Sequence, residues 1–199
     1  SADSIVREVE RMAKMPEFAG IVQDVGGPTA NMYAIHCGRW ETAGTCPERR
    51  CIDCPTLDRS HAEQITLLRR LRAIPGVRRV FIASGIRYDL IPDDGEYLAE
   101  ISAHHVSGHL KVAPEHVSER VVACMGKPSR AVFDAFRDRF EALQEGKVKR
   151  QYLVPYIISG HPGCRMEDMV ELAEYVRDTG LYTEQVQDFT PTPMSISTT

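Results

Sequence analysis

Short β-branched runs alternate with one-sided apolar helices along most of this chain, and the runs close on Gly, Ser or Pro. Gly20-Ile21-Val22-Gln23-Asp24-Val25 leads into Gly26-Gly27-Pro28, and Arg79-Val80-Phe81-Ile82-Ala83 into Ser84-Gly85. His109-Leu110-Lys111-Val112-Ala113 stops at Pro114, Tyr152 to Ile158 closes on Ser159-Gly160, and Gln185 to Phe189 makes a fifth run. Strands separated by helical segments predict repeated βαβ units and a parallel sheet, either doubly wound or barrel-like. No GxGxxG follows the first strand and no GxxxxGK[ST] occurs anywhere, which weighs against the dinucleotide-binding and P-loop folds. An incomplete α/β barrel is preferred, with its site at the strand C-termini, where the glycine-rich turns fall.

The helices are read from their apolar period and their punctuation. Ile5, Val9, Met12 and Ala13 share one face, with Asp3 or Ser4 as the cap and Pro16 as the stop. Ser60-His61-Ala62-Glu63 reads as a capping box that opens a helix carrying Ile65, Leu68 and Leu71 up to Pro75-Gly76. A short helix is predicted from Asp94 to Ala103 and a weak one around Ser118 to Met125. Ser129 caps a longer helix with Val132, Phe133, Phe136, Phe140 and Leu143 on one side; Val170, Ala173 and Val176 mark the last helix, stopped by Gly180.

With 199 residues, 43% of them apolar, the chain has enough material for a substantial core. A net charge of −4 with 26% charged residues argues against disorder and against general affinity for nucleic acid by charge alone. No run approaches the roughly 18 apolar residues of a membrane span, and no basic segment precedes an apolar one, so a soluble cytoplasmic protein is expected. Ser1 at one end and the open stretch TPTPMSISTT at the other suggest a piece of a larger enzyme.

Six cysteines are too few for a disulfide scaffold, and four of them crowd into one aperiodic segment, 29–59. Cys37, Cys46, Cys51 and Cys54 are spaced C-x8-C-x4-C-x2-C in a stretch too polar and too rich in Gly, Pro and Arg to fold on apolar burial alone. Four thiolates offer tetrahedral coordination to zinc or to an iron–sulfur cluster, and Cys51-x2-Cys54 supplies the tight chelating turn that both take. A set of four leaves zinc no open position, so its role would be structural. Unligated surface thiols or a labile disulfide are the competing reading.

Lys111 alternates with Leu110 and Val112 and so shares a strand face with His109. In a barrel that face is the interior, where an amine needs a ligand or a partner such as Glu115; a structural ion pair is the alternative. His104, His105, His109 and His116 fit no ligand spacing, and the first two read as a solvated turn. Arg69, Arg70, Arg72, Arg78 and Arg79 form a run able to touch phosphate, although such runs are mostly the wet face of a helix.

The segments IVREVERMAKMPEFAGIVQDVGGPTANMY, GHLKVAPEHVSERV, QYLVPYIISGHPGCRMEDMVELAEYVRDTGL and QVQDFTPTP closely resemble the YgiQ-type radical SAM proteins. The resemblance covers essentially the whole chain. It implies strands two to six of a partial (β/α)6 barrel spanning residues 1–199, with 29–59 as a Cys-rich insertion after the first visible strand. It also implies S-adenosylmethionine bound on a [4Fe–4S] cluster, reductive cleavage to a 5′-deoxyadenosyl radical, and a reductant protein as partner. The family holds that cluster on a Cys-x3-Cys-x2-Cys triad that no three of Cys37, Cys46, Cys51, Cys54, Cys124 and Cys164 reproduce. The triad would precede Ser1, and the chain as given would lack radical chemistry of its own.

By the same resemblance Gly26-Gly27-Pro28 matches the Gly-Gly-Glu motif that holds the methionine amino group, with Pro28 in place of Glu leaving only backbone contacts. Lys111 and Glu115 fall on the fourth barrel strand, which supplies ribose or carboxylate contacts. Tyr156 to Gly163 resembles the adenine-packing Gly-x-Ile-x-Gly-x-x-Glu motif: Ile158 and Gly160 match, while Tyr156 and Gly163 replace its first Gly and its Glu. Gln187, Phe189 and Pro191 would close that pocket. A radical SAM setting favours iron over zinc at the four-Cys segment, as an auxiliary [4Fe–4S] cluster. No residue identifies the substrate. Two other classes compete: a thiolate-metal module docking a partner protein or RNA, and a metal-independent barrel enzyme using Lys111 and Glu115 as acid and base.

Overall fold

The structure, a computed structural model, describes residues 1–27, 29–44, 46, 51–93, 95–181, 183, 185–193 and 197. It divides into two compact units, Ser1–Ser107 and Gly108–Thr199. Both are α/β, and all the named strands pair in parallel. Among the described residues no closed barrel forms.

In the first unit β1 (Ile21–Val22) pairs with β2 (Arg79–Val80), Ile21 opposite Arg79 and Val22 opposite Val80. The regular ladder is shorter than the predicted runs, but pairing continues as Phe81 donates to Val22 O and Val25 donates to Phe81 O, both at 2.9 Å. α1 (Ala2–Met12) precedes the pair, and its cap is Ser1, whose Oγ accepts from Ser4 N, rather than Asp3 or Ser4. α3 (Ala62–Arg72) buries Ile65, Leu67, Leu68 and Leu71; α4 (Glu96–His104) buries Tyr97, Leu98 and Ile101. The capping box predicted at Ser60 does not form. Asp58 takes the Ser60 N–H, Ser60 Oγ takes that of Ala62, and the turn places His61 at φ 55° in the N-cap position.

The arginine run on α3 is consumed internally. Glu100 is buried on α4 and accepts from Arg69 at 2.7 Å and from Arg72 at 3.0 Å; Arg69 also pairs with Glu96, and Arg70 with Asp3 at 2.7 Å. Such ties stabilise the α3–α4 contact mainly where the buried carboxylate is involved, since exposed pairs contribute little.

In the second unit the sheet order is β3-β4-β5, from β3 (His109–Glu115), β4 (Tyr152–Ser159) and β5 (Gln185–Asp188). α5 (Glu119–Cys124) and α6 (Arg130–Ala142) cross over from β3 to β4, and α7 (Met166–Thr179) from β4 to β5. α6 buries Phe133, Phe136 and Phe140 on the predicted stripe. Ser129 holds its N-cap position without a side-chain bond, and Glu119 accepts the Arg130 N–H at 2.9 Å instead. Ile157 packs with Val117 and Leu172 against Met169, Tyr175 and Val176, so one face of β4 is sealed by α7. Gly180 ends α7 at φ 64°, a conformation that favours glycine.

His105 corrects the reading of a solvated turn. It is 0% exposed, and its Nδ1–H donates to Val80 O at 2.8 Å at the end of β2. His61 and His116 are buried as well. Burial, which opposes the imidazolium, holds all three below the usual histidine range. As pH falls below about 6.5 the unfolded chain takes up protons that the folded chain refuses, so stability is lost on acidification. The urea midpoint is expected to drop between pH 7 and pH 5.5, each histidine contributing at most about 1.4 kcal/mol per pH unit. His105→Asn, whose side-chain amide N–H takes the place of Nδ1–H toward Val80 O, should show a shallower slope; an unchanged slope would mean that His105 takes up protons equally in the folded and unfolded chain.

Candidate cofactor and metal sites

Asp24, just beyond β1, gathers the end of β2. Its Oδ1 accepts from Ala83 N at 2.9 Å and from Ser84 N at 3.2 Å, and the Ser84 hydroxyl donates to its other oxygen. The two glycines that follow differ in kind. A Cβ at Gly26 would stand 2.9 Å from Asp24 and Ser84, so Gly26 is glycine for packing. At Gly27 a Cβ would meet nothing within 4 Å among the described residues, and its φ is not in the left-handed region, so no contact among them requires glycine there. An open backbone at such a turn suits the close approach of a ligand. Pro28 lies outside the described residues.

The Cys-rich segment is fixed at its base by buried amides. Asn31 donates to Arg87 O at 2.8 Å and accepts from Arg87 N at 2.7 Å, and Gln64 Nε2 donates to Ala30 O at 2.9 Å. The returning strand closes on the outgoing one, with Asp58 N donating to His36 O at 3.1 Å and Cys37 bridging Leu57. Cys37 then precedes α2 (Gly38–Ala43), while Cys51 opens a 3-10 turn over Cys51–Asp53 that Cys54 N closes onto Cys51 O at 3.2 Å. Cys51 and Cys54 are thus brought into one turn, as their spacing predicts. Cys54 lies 3.1 Å from the Thr56 hydroxyl, which lowers the thiol pKa from its ordinary value, with a smaller contribution from Arg39. The hydrogen-bonded Asp89 carboxylate raises the Arg87 pKa further above its ordinary value. All six cysteines are free, and among the described residues no three His, Cys, Asp or Glu side chains gather closely enough to hold a metal ion. The donor chemistry of the segment fits a thiolate metal site; the four sulfurs are not assembled into one.

In the second unit the predicted residues fall at the C-terminal end of the sheet. Ile158 lies in register with Gln187 and Ser159 with Asp188, and Phe189 N donates to Ser159 O at 2.8 Å. Ile157 faces the helices, so the half-buried Ile158 faces away from them with the exposed Gln187 beside it. Gly160 follows at φ 67° with open space around it. Ile158, Gly160, Gln187 and Phe189 are therefore brought together, and His161 joins them, its ring edge-on to Phe189 at 5.0 Å. Sequence reading passed over His161, which had no partner within a helical or strand period to announce it.

Lys111 and Glu115 are not brought together. The register slips between Val112 and Glu115, so Lys111 lies opposite Val154 but Glu115 opposite Ile157, while burial goes on alternating to the end of the strand. Glu115, at φ 65°, instead meets Lys127 at 3.0 Å, and Lys127 also donates to Ala113 O. Lys111 makes no ion pair among the described residues.

A further polar cluster joins the loops after β3 and β4. Ser118 Oγ donates to Asp168 at 2.7 Å, Arg120 pairs with Asp168 and donates to Gly163 O at 2.8 Å, and Asp168 accepts from Arg165 N at 2.6 Å. The Arg165 amide, the Ser118 hydroxyl and Arg120 hold the Asp168 carboxyl below its usual range. Ser118 N donates to His116 Nδ1, leaving the proton of the neutral ring on Nε2, which lies 3.7 Å from Cys164 Sγ. These contacts fix the two loops to one another at the rim of the sheet.

No helix of the described chain is long and apolar enough to cross a membrane. No protein-family model matches the chain. A UPF0313 protein of Methanosarcina mazei is 54% identical over 201 residues, covering 100% of this chain and 32% of its own length. UPF0313 proteins of Methanocella arvoryzae and Clostridium perfringens are 50% and 48% identical, again over the whole chain, with 34% and 31% of their own lengths covered. The chain spans about a third of the length of the curated relatives it matches. It is homologous from end to end to a segment of the UPF0313 proteins.

Proposed function

We propose that the chain is part of a radical S-adenosylmethionine enzyme, forming strands two to six of its core, with residues 29–59 as a Cys-rich insertion. The observation that carries the reading is the cluster of Ile158, Gly160, Gln187 and Phe189 at the C-terminal edge of a parallel sheet, where α/β proteins place ligands. Ile158 and Phe189 offer apolar contact for a purine, and the side-chain amide of Gln187 offers a donor and an acceptor. In the first unit the unobstructed Gly27 backbone supports the methionine role drawn from the resemblance, alongside Gly26, which shapes the turn. S-adenosylmethionine and a [4Fe–4S] cluster on cysteines outside this chain would supply the radical. Lys111, unpaired among the described residues, is the candidate for a carboxylate or ribose contact; Glu115 is committed to Lys127. The partners are then a small-molecule cofactor and a cytoplasmic reductant protein.

A second reading rests on the insertion itself. Its thiols, its closed base and the nearby Arg39 and Arg87 suit a thiolate-bound zinc or auxiliary [4Fe–4S] cluster held by Cys37, Cys46, Cys51 and Cys54, and such a module docks a partner protein or RNA. The two readings are compatible, since the insertion would sit beside the cofactor turn in sequence.

The full-length polypeptide, reconstituted anaerobically with iron and sulfide and given a reductant, should cleave S-adenosylmethionine to 5′-deoxyadenosine; absence of that product in loaded protein would overturn the first reading. Gly27→Val should leave the melting temperature within about 2 °C while cleavage falls at least tenfold, whereas Gly26→Val, which collides with Asp24 and Ser84, should unfold several degrees lower. Normal turnover by Gly27→Val would remove the ligand role. Anaerobically purified chain should carry stoichiometric zinc or iron that falls by at least half in Cys51→Ala and Cys54→Ala; metal content indifferent to both substitutions would refute the thiolate site.

A further inference from the structure

In the second unit α5 turns two side chains toward the loop that follows β4. Arg120 and Cys124 stand one helical turn apart on the same face. The Arg120 guanidinium donates to Gly163 O at 2.8 Å, and the Cys124 sulfur lies 3.3 Å from the point where a Cβ on Gly163 would stand. The next residue in the chain is Cys164, so the loop brings a second thiol beside the first. The two are unlike. Cys124 is exposed, whereas Cys164 is half-buried, its sulfur 3.7 Å from His116 Nε2 and 3.6 Å from Arg165 O. Burial pushes the Cys164 thiol up, which keeps it protonated and slow to react by itself. An accessible thiol beside a sheltered one is the arrangement of a redox pair, in which the first meets the oxidant and the second resolves it.

We propose that Cys124 and Cys164 form a reversible disulfide that clasps α5 to the loop between β4 and α7, with a low-molecular-weight disulfide as the oxidant. The Cys124 sulfur gives up its proton and attacks one sulfur of the oxidant, whose S–S bond breaks and whose leaving thiolate takes up that proton. The Cys164 sulfur then displaces the second small thiol from the mixed disulfide in the same way. Two protein thiols are oxidised and the small disulfide is reduced to two thiols, so protons and electrons balance. Closing the bond turns the Cys164 sulfur away from His116, in a loop that has glycine at Gly160, φ 67° with open space around it, and at Gly163, φ 87°. The same loop carries His161, whose ring packs on Phe189, so the clasp fixes one wall of the candidate pocket. The inference stands apart from the radical chemistry and from the four-thiol segment, since it draws only on residues of the second unit.

The reduced 199-residue chain, equilibrated anaerobically in buffers of glutathione and glutathione disulfide and quenched by alkylation, tests it. Tryptic mapping should give residues 121–130 joined to residues 151–165, a product that holds more than about half of Cys124 in the oxidised buffer and less than about a tenth after excess reduced glutathione. Cys164→Ser should stop at the mixed disulfide on Cys124. In Cys124→Ser the remaining Cys164 should react with glutathione disulfide roughly tenfold more slowly than Cys124 does in Cys164→Ser. Thiols that stay reduced in the oxidised buffer, mixed disulfides on both cysteines without the joined peptide, linkage of either one to a cysteine of the segment 29–59 instead, or a Cys164 as reactive as Cys124 would each overturn the proposal.

Discussion

A parallel strand pair cannot be closed by a tight turn; the chain must travel back along the whole strand before it can pair again. Both sheets of this protein obey that constraint, and most of the architecture follows from it. The helices that make the return trip cover a face of the sheet, as α7 does when it seals Ile157. Within each unit all strand C-termini then lie at one edge, and the loops leaving that edge carry the chemistry: the Asp24–Ser84 clasp and glycine turn in the first, and the His161–Phe189 and Ser118–Asp168–Arg120 contacts in the second.

Length of loop is the price of this layout, and the segment 29–59 shows how it is managed. An excursion of that size carries many backbone groups that cannot find strand partners. Here the base is held by side-chain amides that imitate backbone: Asn31 makes a paired donor and acceptor contact with Arg87, and Gln64 takes Ala30 O. Beyond the base, the described residues include the short helix α2, which Cys37 precedes, and the Cys51–Asp53 turn, which Cys54 closes. Thiolate ligation would supply the order that apolar burial does not.

Periodicity made the regular parts legible. The phenylalanine stripe of α6 and the alternation of β3 up to Val112 appear in the structure where the sequence placed them, because both report burial on one face of a locally repeating backbone. Cys51 and Cys54 shared a turn for the same local reason. The failures lay in which contacts form. Glu115 went to Lys127 rather than to Lys111, a left-handed residue at His61 stands where a capping box was expected, and the Val80 carbonyl holds His105 inside rather than in the solvated turn assigned to it.

Sequence alone determined, outside the segment 29–59, which stretches become strand or helix, together with the crossover order, the glycine-bounded strand ends and the spacing of the thiols, since each depends on residues within a few positions of one another. Tertiary structure decided the partners: Lys127 for Glu115, Val80 for His105, Glu100 for Arg69 and Arg72. It also separated Gly26, which packing requires, from Gly27, which it does not, and left Gln64 with an acceptor unused. A partner is chosen by distance in space, and in a parallel α/β chain neighbours in space are separated by a whole crossover, so no local pattern of residues can specify which of several lysines or carbonyls will arrive.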